Sequence, residues 1–274
     1  MTTLPDCDTL ALDQRGPVLH LTLNRPDARN AMSLAMVREM AAVFESIATD
    51  ADIRCVVLRG AGGHFCAGGD IRDMAAARSQ KATGDADPFR DLNRAFGRLI
   101  ETVNTAPQVV IAILEGAVMG GGFGLACVSD LALARDTAKF AMPETSLGII
   151  PAQIAPFVVE RIGLTQARRL ALLGLKVDGH EACRLGLVHS VVESDDALDR
   201  ALDDAIASLI RCAPRATAAT KALLHRVGHE PMPSLLDDAA QQFADAVRGE
   251  EGAEGTMAFM QKRPPAWAKT DDTP

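Results

Sequence analysis

Two glycine clusters and one glutamate carry most of the chemistry this sequence could perform. His64-Phe65-Cys66-Ala67-Gly68-Gly69-Asp70-Ile71 follows an apolar run and opens a helical pattern. By itself it reads as a tight turn with Asp70 as N-cap. Glycine there also lets a ligand approach the backbone, with N–H groups and a helix dipole aimed at developing negative charge. Gly120-Gly121-Gly122 repeats the arrangement after a second apolar run. Glycines at a helix start destabilise it by roughly 1 kcal/mol each relative to alanine, so something must offset them. Close packing of the helix is one offset. Another is an oxyanion hole, with each of the two turns supplying one N–H to a carbonyl oxygen. Pro143-Glu144 adds a carboxylate. In a first helical turn it can simply pair with the dipole. Beside an oxyanion hole it is what acid–base chemistry next to an activated carbonyl requires.

Other chemistries find little support. There is no P-loop pattern, and Gly120, Gly122 and Gly124 have the wrong spacing and position for a dinucleotide fingerprint. His180-Glu181 and His229-Glu230 each lack the second histidine of a zinc helix, so no metal is expected. The net charge of −8 argues against a nucleic-acid groove, and nine Phe, one Trp and no Tyr against a stacking platform. Six scattered cysteines without a CxxC pair suit a reducing compartment. The N-terminus carries no signal-peptide pattern. The most apolar stretch, 109–134, is broken by Glu115 and Asp130 and falls short of the roughly 20 apolar residues of a membrane span. A cytoplasmic enzyme of small molecules is the expectation, with no nucleic-acid or membrane partner.

The elements that must position these groups follow from periodicity. Leu10, Leu12, Leu19, Leu21 and Leu23 alternate around Gln14-Arg15-Gly16-Pro17, a β-hairpin. Ser33 caps a helix with the stripe Met36, Met40, Val43, Phe44 and Ile47. Cys55–Leu58 and Val109–Ile113 read as strands buried on both faces. Residues 75–88 look like a mobile surface excursion, followed by a helix from Phe89 to Thr105. Further strands are expected at 131–134, 139–141 and 188–192, with helices at 152–162, 165–174 and 178–185. From Asp195 every segment reads helical, broken by Pro214, Pro231 and Pro233. The class is α/β to about residue 195 and helical after it.

These motifs together resemble the enoyl-CoA hydratase/isomerase (crotonase) superfamily over nearly the whole chain. The resemblance rests on Leu23-Asn24-Arg25-Pro26 with Asn30-Ala31, on 65–71, and on Gly120 through Asp130. It continues through Phe140, Pro143-Glu144, Leu147–Pro151, Ala182–Val188 and the closing segment Glu254 to Pro265. It implies a crotonase-like spiral of strand–strand–helix turns in residues 1–195, holding the CoA site and the active site. Residues 196–274 would be a C-terminal helical trimerisation region, giving a homotrimer or dimer of trimers. It implies that Gly69 and Gly121 bind the thioester oxygen of an acyl-CoA substrate and that Glu144 is a catalytic glutamate. Ala28, Arg29, Ala67, Asp70 and Ile71, with Gly69 and Gly121, would line the CoA moiety. No cofactor is implied beyond coenzyme A carrying the substrate as a thioester.

One position departs from the family pattern. The second glutamate of the two-carboxylate hydratases is Gly124 here. Together with Ile150 to Phe157, Gly124 resembles hydratases of branched glutaconyl-CoA esters, isohexenylglutaconyl-CoA or 3-methylglutaconyl-CoA, which belong to terpene and leucine breakdown. The missing side chain predicts open space beside the β-carbon, filled by a substrate branch; either that branch's carboxylate positions water or the glycine only enlarges the pocket. Arg72, His64, Arg94 and Gln153 are the neighbouring candidates for a distal carboxylate. Hydration of such a branched, carboxylated enoyl-CoA is the leading expectation. A single-glutamate Δ3,Δ2-enoyl-CoA isomerase and a non-catalytic trimeric scaffold are the alternatives.

Overall fold

The computed structural model describes residues 3–79 and 87–268. The expected hairpin is β1 (Leu10–Arg15) and β2 (Val18–Leu23), antiparallel with Arg15 opposite Val18. Helix α1 (Leu34–Ile47) starts at Ser33, whose Oγ accepts the Met36 N–H at 3.2 Å. Its expected stripe is buried throughout, and burial of such side chains stabilises by about 1.5–3 kcal/mol each. The chain continues through β3 (Cys55–Gly60), α2 (Ile71–Ser79), α3 (Pro88–Thr105), β4 (Val109–Leu114), β5 (Ala117–Met119) and α4 (Gly121–Val128). Then follow β6 (Leu131–Arg135), β7 (Lys139–Ala141), α5 (Ala155–Leu173), β8 (Lys176–Asp178), α6 (Gly179–Arg184) and β9 (Ser190–Val192). Four helices complete the chain: α7 (Asp195–Ile210), α8 (Pro214–Arg226), α9 (Met232–Arg248) and α10 (Glu250–Met260).

The larger sheet has the order β1-β2-β3-β4-β6-β9, parallel from β2 onward. A smaller sheet has the order β5-β7-β8. From β4 to β7 the chain alternates between the two sheets in the expected strand–strand–helix rhythm, and β8 then pairs antiparallel with β7 inside the smaller sheet before β9 returns to the larger one. Both faces of the larger sheet are covered. Leu19, Leu21, Val56 and Leu58 face the main core with α1, α3 and α4. Val18, Cys55, Val57, Ile111 and Leu133 pack with Leu198 and Leu202 of α7 on the other face. That explains the continuous apolar runs, since a parallel sheet has no face left for water. Helix α8 is pinned to the same layer by Lys221, whose Nζ donates to Asp130 Oδ2 at 2.6 Å and to the Gln108 carbonyl at 3.1 Å.

Several expectations need correction. Residues 75–79 belong to helix α2, where alanine-rich sequence favours helix and Ala77 is buried. Residues 80–86 lie outside the described residues, and α3 already begins at Pro88. The two helices expected between 152 and 174 form one element broken by Gly163, whose φ of 73° no helical residue adopts. Strands β5 and β8, three residues each, had no expectation. Among the described residues, no helix is long and apolar enough to cross a membrane.

Candidate active site

Strand register brings the three candidate groups together. Cys66 bridges Val118 in parallel, and Val118 pairs with Phe140 in the smaller sheet. All three side chains are fully buried. Neighbouring strands lie about 4.8 Å apart, so the residues that follow one position sit beside those that follow the next. Gly69 comes three residues after Cys66, Gly121 three after Val118, and Glu144 four after Phe140.

The Gly69 turn is held from behind. Met32 N–H donates to the Gly68 carbonyl at 2.8 Å, Asp70 N–H to Met32 O at 3.0 Å, and Ala67 N–H to Arg29 O at 3.0 Å. This pairing turns the Gly69 N–H to the opposite side, where it has no protein acceptor among the described residues. Gly121 is the first residue of α4, so its N–H has no carbonyl one turn earlier in the helix. The glycines around it have different reasons. Gly120 has φ +49°, and a Cβ there would lie 3.0 Å from Glu144 Oε1. At Gly122 a Cβ would meet Cys66 Cβ at 2.7 Å, so close packing explains that position. Of these three glycines, Gly121 is the one whose Cβ would meet the tip of a side chain, Phe96 at 3.3 Å, rather than Glu144 or Cys66.

Glu144 opens a single 3₁₀ turn, Glu144–Leu147. Its Oε2 is buried and has no hydrogen-bond partner. Burial pushes its carboxyl above the ordinary glutamate range, partly opposed by its own backbone N–H. Nearby Cys66 is no rival as a reactive group, because burial pushes its thiol up to about 11. The site therefore offers two unpaired N–H donors and one poorly solvated carboxylate. Such a set can bind a thioester oxygen, stabilise an enolate and move a proton on the adjoining carbons.

The surrounding wall is apolar. A Cβ on Gly121 would lie 3.3 Å from Phe96 Cζ and 3.7 Å from Met32 Sδ, and one on Gly69 would lie 3.3 Å from Met74 Cε. At Gly124 the expected open space is absent. A Cβ there would meet Ile154 Cγ2 at 2.4 Å and Ile100 Cδ1 at 2.9 Å. Two isoleucines from α3 and the segment before α5 occupy the volume, so no substrate branch can fill it. Nothing in the spacing of the sequence reveals this contact, which joins residues 30 apart in the chain. The helical period of α3, through Phe96 and Ile100, could have flagged both as inward-facing.

The residues expected along CoA gather at one edge. Ala28 and Arg29 end the turn after β2, against Ala67, and Ile71 stands exposed at the start of α2. Asp70 is turned inward. Its carboxylate accepts Arg72 N–H at 2.8 Å and the Arg25 guanidinium at 2.7 Å. Burial opposes its ionisation, but these hydrogen bonds prevail and hold it below the usual range. Asn30, fully buried, donates to the Ala61 and His64 carbonyls. Arg25 and Asn30 thus clamp the turn that presents Gly69, a role not assigned from sequence. Of the distal-carboxylate candidates, His64 Nδ1 accepts the Ala117 N–H at 3.1 Å. Arg94 and Gln153 are brought together, 3.4 Å apart.

Known proteins share this architecture. The family model described as Enoyl-CoA hydratase/isomerase matches residues 13–270. A crystal structure of an enoyl-CoA hydratase/isomerase from Marinobacter aquaeolei is 68% identical, with a TM-score of 0.94 covering 96% of this chain and 100% of that one. Pseudomonas aeruginosa AtuE is 60% identical, with a TM-score of 0.93 over 96% of this chain and 100% of its own. The 2,3-dehydroadipyl-CoA hydratase of Escherichia coli K12 is 32% identical across 93% of this chain and 97% of the relative. The chain belongs to the enoyl-CoA hydratase/isomerase family and is an enzyme of the crotonase superfamily.

Proposed function

We propose that the protein hydrates the double bond of a β-branched, carboxylated enoyl-CoA of the isohexenylglutaconyl-CoA or 3-methylglutaconyl-CoA type. The observation that carries this reading is the unpartnered, buried Oε2 of Glu144, whose other oxygen lies against Gly120, the residue before Gly121. The thioester oxygen accepts both N–H groups, which favours electron flow from the β-carbon side as water adds. Glu144 takes the proton from that water and returns it to the α-carbon. One H–OH bond and the C=C π bond break, one C–O and one C–H bond form, and the glutamate ends as it began. A single carboxylate serving both steps requires syn addition.

The substrate class is supported by Gly124 combined with the Ile150–Phe157 run, the pattern that resembles branched glutaconyl-CoA hydratases. A relative named 2,3-dehydroadipyl-CoA hydratase indicates that an acyl group with a second carboxyl suits this fold. The isoleucines sealing Gly124 favour a second reading. With no polar side chain at 124 to hold water, Glu144 would shuttle one proton between carbons as a Δ3,Δ2-enoyl-CoA isomerase. Purified protein incubated with 3-methylglutaconyl-CoA and with a 3-enoyl-CoA separates the two by chromatography and mass. Product heavier by one water supports hydration; unchanged mass with shifted retention supports isomerisation.

We also infer that residues 196–274 provide the assembly surface of a homotrimer or dimer of trimers. Helices α9 and α10 leave Phe243, Phe259 and Met260 exposed, which supports this. Light scattering that returns a monomer at micromolar concentration would overturn it.

A further inference from the structure

We infer that Cys66 is a positioning residue whose side chain ties the two oxyanion arms together. The assignment rests on Gly69 and Gly121 as the donors to the thioester oxygen, and it holds for hydration and isomerisation alike. Two N–H groups share one oxygen only if each peptide is turned toward it and the pair keeps a fixed separation.

The turning follows from peptide geometry. A trans peptide sends its N–H and its C=O in opposite directions. Whatever holds a carbonyl therefore aims the amide bonded to it. The Gly69 N–H shares its peptide with the Gly68 carbonyl. That oxygen accepts the Met32 N–H at 2.8 Å and the Cys66 thiol at 3.7 Å. Gly68 has φ +101° and neither it nor Gly69 has a Cβ, so little besides these bonds resists rotation of the peptide. On the other arm, the Gly121 N–H shares its peptide with the Gly120 carbonyl, which accepts the Gly124 N–H at 3.0 Å.

The separation depends on the same thiol. Helix α4 has no side-chain cap at Gly120, so its first N–H groups need partners from outside the helix. The N–H of Gly122, second in the helix, faces the Cys66 sulfur, as do those of Met32 and of Gly68, the last at 3.4 Å. Cys66 therefore donates to the first arm and accepts from the second. A Cβ on Gly122 would lie 2.7 Å from Cys66 Cβ and 3.3 Å from its sulfur, so the side chain is also the spacer between the arms. It is fully buried, and burial pushes the thiol up to about 11, which keeps its proton in place at neutral pH. Contacts of 3.4 and 3.7 Å are longer than an oxygen makes, so one sulfur reaches both turns.

The test reads the bound ester without turnover. Wild type, Cys66→Ala, Cys66→Ser and Gly122→Ala are first checked by circular dichroism. The infrared carbonyl stretch of butyryl-CoA, isotope-labelled at its thioester carbonyl, is then recorded free and bound. Binding to wild type should lower that frequency, because hydrogen bonds to the oxygen weaken the C=O bond. Cys66→Ala should return the stretch part of the way to its free value. Its kcat should fall by about tenfold or more while KM changes less than about twofold, since a misplaced donor is felt mainly in the transition state. Cys66→Ser keeps a donor and an acceptor on a shorter reach and should recover part of both. Gly122→Ala keeps the thiol but forces it aside, so it should show the same losses, and it gives the answer if Cys66→Ala does not fold. An unchanged stretch and kcat in either folded alanine variant overturns the tie, whatever happens to Tm. Cys66→Ser behaving no better than Cys66→Ala also overturns it. A wild-type stretch that binding leaves unmoved overturns the oxyanion assignment itself, a result that does not involve Cys66.

Discussion

Positions 144 and 124 border the same glycine-rich helix start, and they have been treated in opposite ways. At 144 a carboxylate is carried into a site where one oxygen has no partner and burial opposes its charge. At 124 even a methyl group would collide with Ile154 and Ile100. One position keeps an unsatisfied polar group, which an enzyme retains only at some cost in stability. The other has been closed with hydrocarbon. The comparison separates acid–base capacity from water holding: on the proposed reading this chain supplies the first with Glu144 alone and gives the second no side chain at 124.

The largest effect should come from position 144. Glu144→Gln retains size and removes basicity, so kcat should fall by roughly 100-fold or more while CoA-ester binding persists. Steady-state kinetics beside calorimetry checks this, and near-normal turnover would remove Glu144 from the mechanism. Next is Gly121→Pro, which deletes the N–H at the helix start. Losing an oxyanion donor costs about 3 kcal/mol in the transition state, close to 100-fold in rate. Circular dichroism must first show a folded protein.

Position 124 breaks the comparison from the other side. Gly124→Ala should cost about 1–3 kcal/mol of stability, because Ile154 is β-branched and cannot swing away freely. Ile154→Ala alone should also destabilise, but the double variant should be more stable than the sum predicts. A denaturation cycle with no coupling would mean that the packing at 124 has been misread. Gly124→Glu combined with Ile154→Gly sharpens the point. It should gain measurable hydration of unbranched crotonyl-CoA, which Gly124→Glu alone should not.

The smallest effect is in pH dependence. Glu144 must be ionised to accept a proton, so kcat/KM should fall on the acid side with a midpoint above the usual glutamate range. Its raised folded value also means that the native state binds the proton more tightly than the unfolded chain. Glu144 therefore contributes stability that is lost as pH rises from the usual glutamate range through that raised value. Glu144→Gln lacks that loss, so its Tm should rise relative to wild type across this window. Parallel Tm curves would show the carboxylate to be solvated.

Much of this was legible in the sequence. Leu10–Leu23 alternated, Ser33 announced α1, and the apolar runs at 55–58 and 109–113 became doubly covered strands. Gly69, Gly121 and Glu144 could be singled out because helix-opening glycines need a reason. Strand β5 escaped because Gly116 and Gly120 flank it and read as turn, and β8 because Lys176 and Asp178 leave one apolar residue between them. Gly163 escaped because a left-handed break leaves the flanking helical pattern intact. Ile154 over Gly124 escaped because side-chain packing between distant segments is a property of volume, which spacing does not encode. The cleft was readable where backbone geometry makes it and unreadable where side chains fill it.

The alignment of Cys66, Val118 and Phe140 makes three short spans of the chain intolerant to changes in length. Between each of these residues and its reactive group lie only three or four steps of backbone. One inserted or deleted residue in 66–69, 118–121 or 140–144 would carry a single group out of alignment while the other two stayed in place. Where the change falls beyond the paired residues, after Cys66, Met119 or Ala141, the fold could survive it, since those pairings are kept. The connections elsewhere in the spiral can lengthen without moving these groups, but the three counts are as necessary to the site as the identities of the residues at their ends.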